Sequence, residues 1–261
     1  MKTTESRDGT SIAFDNLGEG APVIIVAGAL SARLANREFA ELLAQQFTVL
    51  NYDRRGRGDS GDTAPYDVAR EIEDLDTLIG EAGGSASVVG FSSGGNLALE
   101  AAARGSDISR LALWEPNFIV NSSRPPLPDD YVDHLSQLVA DGRHGDAVAY
   151  FMTTAVGLPE EMVAQMRGAP FWAGAEAVAH TLAYDGAVVG DSMAGVAPKQ
   201  ERWATVKAPT LVLDGGTTPW MSDGADAIAG TLPTGERRTL EGETHDVSAR
   251  ALAPAVAEFF A

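Results

Sequence analysis

One short stretch constrains the fold of this chain more than any other. Residues 88–95 read VVGFSSGG, so two β-branched residues run into a Gly-x-Ser-x-Gly pattern, and small residues with helical character follow at 97–104. A strand, this pattern and a helix predict a very tight turn with Ser92 at its apex, where Gly90 and Gly94 leave room for the backbone. The alternative is a plain glycine-serine turn. We favour Ser92 as a nucleophile that lies beside the N–H groups of the following helix.

The segments on either side of this turn alternate between strands and helices. Residues 22–26 form a continuous apolar run, which is typical of a strand buried on both faces of a parallel sheet. Residues 67–80 repeat apolar side chains every three or four positions, which predicts a helix. Further strands are predicted at 11–14, 47–52, 111–115, 209–214 and 237–240, and further helices at 37–46, 223–230 and 248–260. We therefore predict an α/β fold with a mostly parallel central sheet flanked by helices.

A helical insertion interrupts this alternation. The sequence from 117 to 208 has no clear strand, and polar turns separate several amphipathic stretches there. The helices predicted in it are 130–141, 144–156, 160–167 and 175–189. We predict a core made of residues 1–116 and 209–261, with 117–208 inserted into it. In parallel sheets, ligands bind at the carboxyl ends of the strands, so we expect the functional residues at that edge.

Composition excludes several classes of protein. The chain has 261 residues, a net charge of −18 and no cysteine. The acidity argues against nucleic acid and anionic membranes as partners, and the lack of cysteine excludes disulfides and thiolate chemistry. No apolar run reaches the length of a membrane helix, and the first residues lack the apolar core of a signal peptide. We expect a cytoplasmic monomer or homodimer.

Motifs for cofactors and metals are missing from the sequence. Residues 53–60 read DRRGRGDS, which differs from a phosphate-binding loop and is better interpreted as a structural turn held by ion pairs. The first long strand is not followed by Gly-x-Gly-x-x-Gly, and there is no His-Glu-x-x-His cluster. We therefore expect neither a cofactor nor a metal.

A serine nucleophile needs a base within hydrogen-bond reach. The chain has four histidines, and three of them, His134, His144 and His180, fall in the helical insertion among polar neighbours. These three are interpreted as surface or packing residues. His245 instead falls in the loop between the last predicted strand and the last predicted helix, at the edge where ligands bind. We predict that His245 is the base for Ser92.

Taken together, these features resemble the α/β-hydrolase superfamily. The resemblance rests on the turn at 90–94, the small-residue loop after Val26, the DRRGRGDS loop, the insertion after Glu115 and the late His245. It implies a serine hydrolase with a Ser-His-acid triad and a helical cap. It also implies an oxyanion hole formed by the backbone N–H groups of Ser93 and Ala29. The histidine that usually precedes the glycine of this loop in the family is an alanine here.

The resemblance leaves the acid of the triad open. The usual position of the acid in the family corresponds to Thr218, which carries no charge. Glu115 is the favoured substitute, since some haloalkane dehalogenases and the zearalenone-type lactonases place their acid there, and the latter share the Ser-Ser turn. Asp214 is the alternative, and a third possibility is that neither residue acts. A serine nucleophile argues against epoxide hydrolysis and dehalogenation, which use a carboxylate nucleophile in this fold.

The resemblance also indicates a substrate class. The insertion is expected to act as a lid whose apolar side chains suit an apolar ester or lactone. Candidate pocket residues are Leu30, Trp172 and Trp220, with Trp172 chosen because 169–174 reads as a loop. The expected partner is thus a small-molecule ester or lactone. Alternatives are another acyl transfer, such as thioester hydrolysis or perhydrolysis, and a ligand-binding protein without turnover.

Overall fold

An eight-stranded sheet forms the centre of the molecule. The structure, a computed structural model, describes residues 1–261 except for the side chain of Gln200. The strands are β1 (Lys2–Glu5), β2 (Ser11–Leu17), β3 (Ala21–Val26), β4 (Phe47–Tyr52), β5 (Ala86–Phe91), β6 (Ile108–Trp114), β7 (Thr210–Asp214) and β8 (Gly235–Thr239). Their order is β1-β2-β4-β3-β5-β6-β7-β8. Pairs involving β1 and β2 are antiparallel and the others are parallel, which confirms the predicted fold class.

The helices lie between these strands and in one long segment. The core helices are α1 (Arg37–Leu43), α2 (Val68–Glu81), α3 (Ser93–Arg104), α9 (Pro219–Thr231) and α10 (Ala249–Phe260). The segment between β6 and β7 contains α4 (Tyr131–Ala140), α5 (His144–Tyr150), a π-helical turn (Phe151–Val156), α6 (Glu160–Met166), α7 (Trp172–Ala177) and α8 (Thr181–Val189). Short 3-10 turns occur at Arg33–Asn36, Gly190–Met193 and Gln200–Trp203. None of the described helices combines the length and apolarity needed to cross a membrane.

The sheet is buried on both faces because neighbouring side chains of a strand point in opposite directions. In β3, Val23 and Ile25 pack with α1 and α10 on one face. Ile24 and Val26 pack with α2, α3 and α9 on the other face. The continuous apolar run that predicted β3 therefore has a simple cause, since the residues from Val23 to Val26 pack alternately against the two layers of helices.

The segment between β6 and β7 has an apolar core of its own. Its buried members come from α4 to α8 and include Tyr131, Leu135, Trp172 and Leu182. The helix predicted at 175–189 is two helices, with a break between α7 and α8. The loop predicted at 169–174 ends at Phe171, because α7 begins at Trp172. The division of the chain into a core and a cap stays a prediction.

Candidate active site

Ser92 lies at the turn between β5 and α3 in a backbone conformation that is rare for non-glycine residues. Its φ is 51° and its ψ is −125°, and its N–H donates to the Trp114 carbonyl at 2.9 Å. A Cβ at Gly90 would lie 2.6 Å from the Cα of Gly95, and a Cβ at Gly94 would overlap the Val26 and Ala27 carbonyl oxygens. Glycine is therefore required on both sides of Ser92 by close contacts between backbones.

The loop after β3 runs directly beside this turn. A Cβ at Gly28 would lie 3.1 Å from the Ser92 Cβ, so the neighbouring Ala29 is close to the nucleophile. Among the described residues, the backbone N–H groups of Ala29 and Ser93 donate to no protein acceptor. Two unpaired N–H donors next to a serine are what stabilisation of an oxyanion requires.

His245 is in contact with Glu115. Glu115 Oε2 lies 2.7 Å from His245 Nδ1, and Glu115 Oε1 accepts the Gly215 N–H at 3.1 Å. The Trp114 indole Nε1 donates to the His245 carbonyl at 3.0 Å, so two successive residues at the end of β6 hold the histidine loop. An ionised carboxylate only accepts hydrogen bonds, so Nδ1 carries the proton and Nε2 is left as an acceptor.

Backbone strain is concentrated at this edge of the sheet. The non-glycine residues with positive φ are Leu30 (56°), Ser92 (51°) and Glu115 (41°). They follow β3, β5 and β6, the strands whose ends carry the residues just described. Each such conformation costs about 1–3 kcal/mol and persists only where surrounding contacts enforce it, which is typical of functional sites.

Asp214, the alternative acid, is bound elsewhere. Its carboxylate accepts the Ser222 hydroxyl on α9 and lies 2.8 Å from Arg237 Nη2 on β8. Burial by itself raises the pKa of Asp214, but the hydrogen bonds from Ser222 and Arg237 outweigh burial and lower that pKa below its ordinary value. Thr218, at the usual acid position of the family, precedes the first turn of α9. Of the two candidate acids, the structure brings Glu115 to His245.

The Ser92 hydroxyl donates to Asn117 rather than to His245. The distance from Ser92 Oγ to Asn117 Oδ1 is 3.1 Å, and no hydrogen bond between Ser92 and His245 occurs among the described contacts. Catalytic hydrogen bonds are often long or misaligned without substrate. The side chains of Ser92 and His245 therefore share one edge of the sheet without being bonded in this state.

A family model identifies the chain. The model of the alpha/beta hydrolase family matches residues 23–258. The chain belongs to the alpha/beta hydrolase family. The resemblance inferred from the sequence is thereby confirmed.

Several solved structures share the fold of this chain over its whole length. An alpha/beta hydrolase from Sphaerobacter thermophilus is 54% identical, with 100% of both chains covered and a TM-score of 0.93. A thermophilic esterase from Thermogutta terrifontis is 20% identical, with 100% of this chain and 98% of that chain covered and a TM-score of 0.74. The enol-lactonase from Burkholderia xenovorans is 22% identical, with 99% of each chain covered and a TM-score of 0.72. The last two likenesses show the fold alone.

A buried ion-pair network connects both N–H donor loops of this alpha/beta hydrolase to α8. Arg54 Nη1 donates to Asp185 Oδ1 at 2.8 Å and to the Ala27 carbonyl at 3.2 Å. Ser93 Oγ donates to the same Asp185 oxygen at 2.7 Å. Arg54 also binds Glu71 through two hydrogen bonds of 2.7 Å. Asp185 thus contacts Ser93 directly and contacts the loop before Ala29 through Arg54, which binds the Ala27 carbonyl.

Nearby arginines keep the carboxylates of this network ionised. Burial by itself raises the pKa of Asp185, but the charges of Arg57 and Arg54 outweigh burial and hold that pKa below its ordinary value. For Glu71, burial is likewise outweighed, here mainly by Arg54, and the pKa is lowered. Arg57 Nη2 lies 2.7 Å from Asp185 Oδ2. These contacts agree with the interpretation of residues 53–60 as a turn held by ion pairs.

The three candidate pocket residues occupy different environments. Leu30 packs against the apolar core of the helical segment, as does Ala29. Trp172 is buried in that core, and its indole N–H donates to Glu176 at 2.8 Å. Trp220 packs with Ile119 and neighbouring residues near the end of α8. Of the three residues, only Leu30 belongs to the loop beside Ser92. The Trp172 side chain packs within the helical segment.

Sequence reasoning missed Asn117 and Asp185. Asn117 follows Glu115 by two residues, but a single asparagine after a strand carries no recognisable pattern. Asp185 did have a signal, since it is a carboxylate within an otherwise apolar helical stretch at 182–189. A buried acid on such a helix needs a cationic partner, and the arginines at 53–60 are the partners.

Proposed function

We propose that this alpha/beta hydrolase cleaves a carboxylic ester or lactone of an apolar small molecule, with Ser92 as nucleophile, His245 as base and Glu115 as orienting acid. The proposal is carried by the 2.7 Å contact between Glu115 and His245 at the sheet edge that also carries Ser92. A buried carboxylate on Nδ1 leaves Nε2 as the proton acceptor that a serine nucleophile needs.

Acylation begins when a substrate carbonyl enters the space beside Ser92. The Ser92 oxygen attacks the carbonyl carbon while its proton passes to His245 Nε2, and the carbonyl oxygen becomes an oxyanion. The N–H groups of Ala29 and Ser93 donate to this oxyanion, and each donor is worth about 3 kcal/mol in the transition state. When the carbonyl reforms, the alcohol oxygen leaves with the proton held by His245. The acyl group remains on Ser92 as an ester.

Deacylation uses the same groups with water as the nucleophile. His245 Nε2 takes a proton from water as the water oxygen attacks the acyl carbon, and then returns the proton to Ser92 Oγ. The products are the carboxylic acid and free enzyme. Glu115 compensates the positive charge of His245 in both halves of the cycle without accepting a proton itself.

The apolar character of the substrate is inferred from the helical segment. We propose that residues 117–208 act as a cap over Ser92, since the loop residues Ala29 and Leu30 pack against the apolar core of that segment. A site between a sheet edge and an apolar cap excludes water and binds apolar groups. The esterase and the enol-lactonase named above share the fold, and both of their names fit this reaction class.

Turnover of p-nitrophenyl butyrate tests the proposal. We expect release of p-nitrophenol by the wild-type chain and its loss in Ser92→Ala. Ser136→Ala is a matched control, since the Ser136 hydroxyl on α4 bonds only to the Val132 carbonyl of its own helix. Ligand-induced stabilisation without any Ser92-dependent turnover across a panel of esters and lactones would instead favour the ligand-binding alternative.

A further inference from the structure

Asn117 is fixed relative to the helix that follows the nucleophile. Its backbone N–H donates to Asn96 Oδ1 at 2.8 Å, and its carbonyl accepts from Asn96 Nδ2 at 3.1 Å. Asn96 is a buried residue of α3, the helix that begins directly after Ser92. The two bonds tie the start of the helical segment to the nucleophile turn, so the Asn117 side chain has a defined place beside Ser92.

The Asn117 side chain offers two different groups at this place. Its Oδ1 accepts the Ser92 hydroxyl at 3.1 Å. Its Nδ2 donates to no acceptor among the described contacts. Nδ2 is also absent from the fully buried polar atoms that lack a partner, so it is accessible to solvent. Asn117 is half-buried, whereas residues 111–116, 118 and 119 are all buried. The free amide N–H groups therefore face accessible space next to the nucleophile.

The reaction changes the partner of Asn117 Oδ1. When Ser92 attacks, its proton passes to His245, and Oδ1 loses its donor at the moment an acyl carbon becomes bonded to Ser92 Oγ. An acyl group with a hydroxyl on the carbon next to the carbonyl carries a donor and an acceptor close to Oγ. Such a hydroxyl donates to Oδ1 and accepts from Nδ2. It thereby replaces the hydrogen bond that Oδ1 has lost and supplies an acceptor for the unpaired Nδ2 donor.

We propose that Asn117 contacts the acyl group and selects 2-hydroxy acids as the acyl part of the substrate. This inference rests on the proposed function and narrows its substrate class. One hydrogen bond gained in the transition state corresponds to a preference of about tenfold in kcat/KM. The apolar part of the acyl group is then bound by the cap, and its 2-hydroxyl is bound by Asn117 at the edge of the sheet.

Ethyl mandelate and ethyl phenylacetate test this proposal, because they differ only in the 2-hydroxyl. Turnover of each ester is measured by proton release, and the quantity compared is the ratio of kcat/KM for mandelate to kcat/KM for phenylacetate. The difference in intrinsic reactivity between the two esters cancels when this ratio is compared between variants. We expect this ratio to fall about tenfold from the wild type to Asn117→Leu, in at least one enantiomer of the mandelate. Asn117→Ala is the second variant, in case leucine is not accommodated. Asn121→Leu is the matched control, since Asn121 is exposed and bonds Asp223 and its own loop.

The outcomes separate this proposal from the proposed function. One outcome is that ethyl phenylacetate is turned over and the ratio of kcat/KM values is equal within twofold in the wild type, Asn117→Leu and Asn117→Ala. This outcome overturns the role of Asn117 and leaves the proposed function in place. Absence of Ser92-dependent turnover of every ester in the wild type overturns the proposed function and the role of Asn117 with it. A ratio that falls equally in Asn121→Leu also overturns the proposal, because the effect then does not depend on contact with Ser92.

Discussion

Replacement of Glu115 by glutamine is expected to abolish most of the activity while leaving the shape of the site intact. The Gly215 N–H donates to Glu115 Oε1, and a side-chain amide can accept that bond only through its oxygen. The amide NH₂ is then directed at His245 Nδ1, where Glu115 Oε2 now lies 2.7 Å away. Nδ1 must accept this hydrogen bond, so the ring proton moves to Nε2.

A histidine with its proton on Nε2 cannot accept the Ser92 proton. The equivalent loss of the correct tautomer in a serine hydrolase triad lowers kcat by about 10⁴-fold. That factor corresponds to about 5–6 kcal/mol of transition-state stabilisation. We therefore expect kcat of Glu115→Gln on p-nitrophenyl butyrate to fall by about 10⁴-fold, with KM changed far less.

Asp214→Asn is the matched control for this substitution. This substitution also replaces a buried carboxylate by an amide, but the carboxylate of Asp214 contacts Ser222 and Arg237 and not His245. We expect it to lower the free energy of unfolding and to keep kcat within about tenfold of the wild type. Steady-state kinetics and thermal unfolding of both variants check this. Near-wild-type kcat in Glu115→Gln, with a loss of several orders of magnitude in Asp214→Asn, would refute the assignment of the acid.

Three further outcomes follow from the contacts around the site. Asp185→Asn leaves buried arginines without full compensation, so we expect a loss of about 3–5 kcal/mol in the free energy of unfolding, measured in urea. Because the folded-state pKa values of Asp185 and Glu71 are lowered, their stabilisation is complete above the ordinary carboxyl pKa and is lost as pH falls through the folded values. The free energy of unfolding should thus decline below about pH 4, less steeply in Asp185→Asn, and an equal slope would contradict the network. Trp114→Phe removes the bond to the His245 carbonyl and leaves a cavity beside a fully buried position, so we expect steady-state kinetics to show a fall of about tenfold in kcat and thermal unfolding to show a lower midpoint.

Elements with a local signal were predictable from the sequence. The turn at Ser92 carries its own glycines, and the apolar run of β3 requires helices on both faces of the sheet. His245 is predictable because it is the histidine that follows a predicted strand of the core. These features depend on a few neighbouring residues, which is why the pattern alone predicts the fold class.

Features set by tertiary contacts were not predictable. β1 is a polar strand at the edge of the sheet, so it lacks the apolar residues by which strands are recognised. The early start of α7 follows from burial of Trp172 within the helical segment, which no local pattern reports. The contact between Asn117 and Ser92 depends on adjacent strands ending side by side, a relation between residues 25 positions apart. The choice between Glu115 and Asp214 likewise depends on which carboxylate reaches His245.

Covalent labelling of Ser92 tests the central claim most directly. A fluorophosphonate reacts with a serine that an adjacent base activates, and the adduct is located by mass spectrometry of the digested chain. We expect one adduct per chain on Ser92, none in Ser92→Ala, and a labelling rate reduced by orders of magnitude in Glu115→Gln. Labelling that is absent from the wild type, that maps to another residue, or that proceeds equally fast in Glu115→Gln would contradict a nucleophile activated through His245 and Glu115.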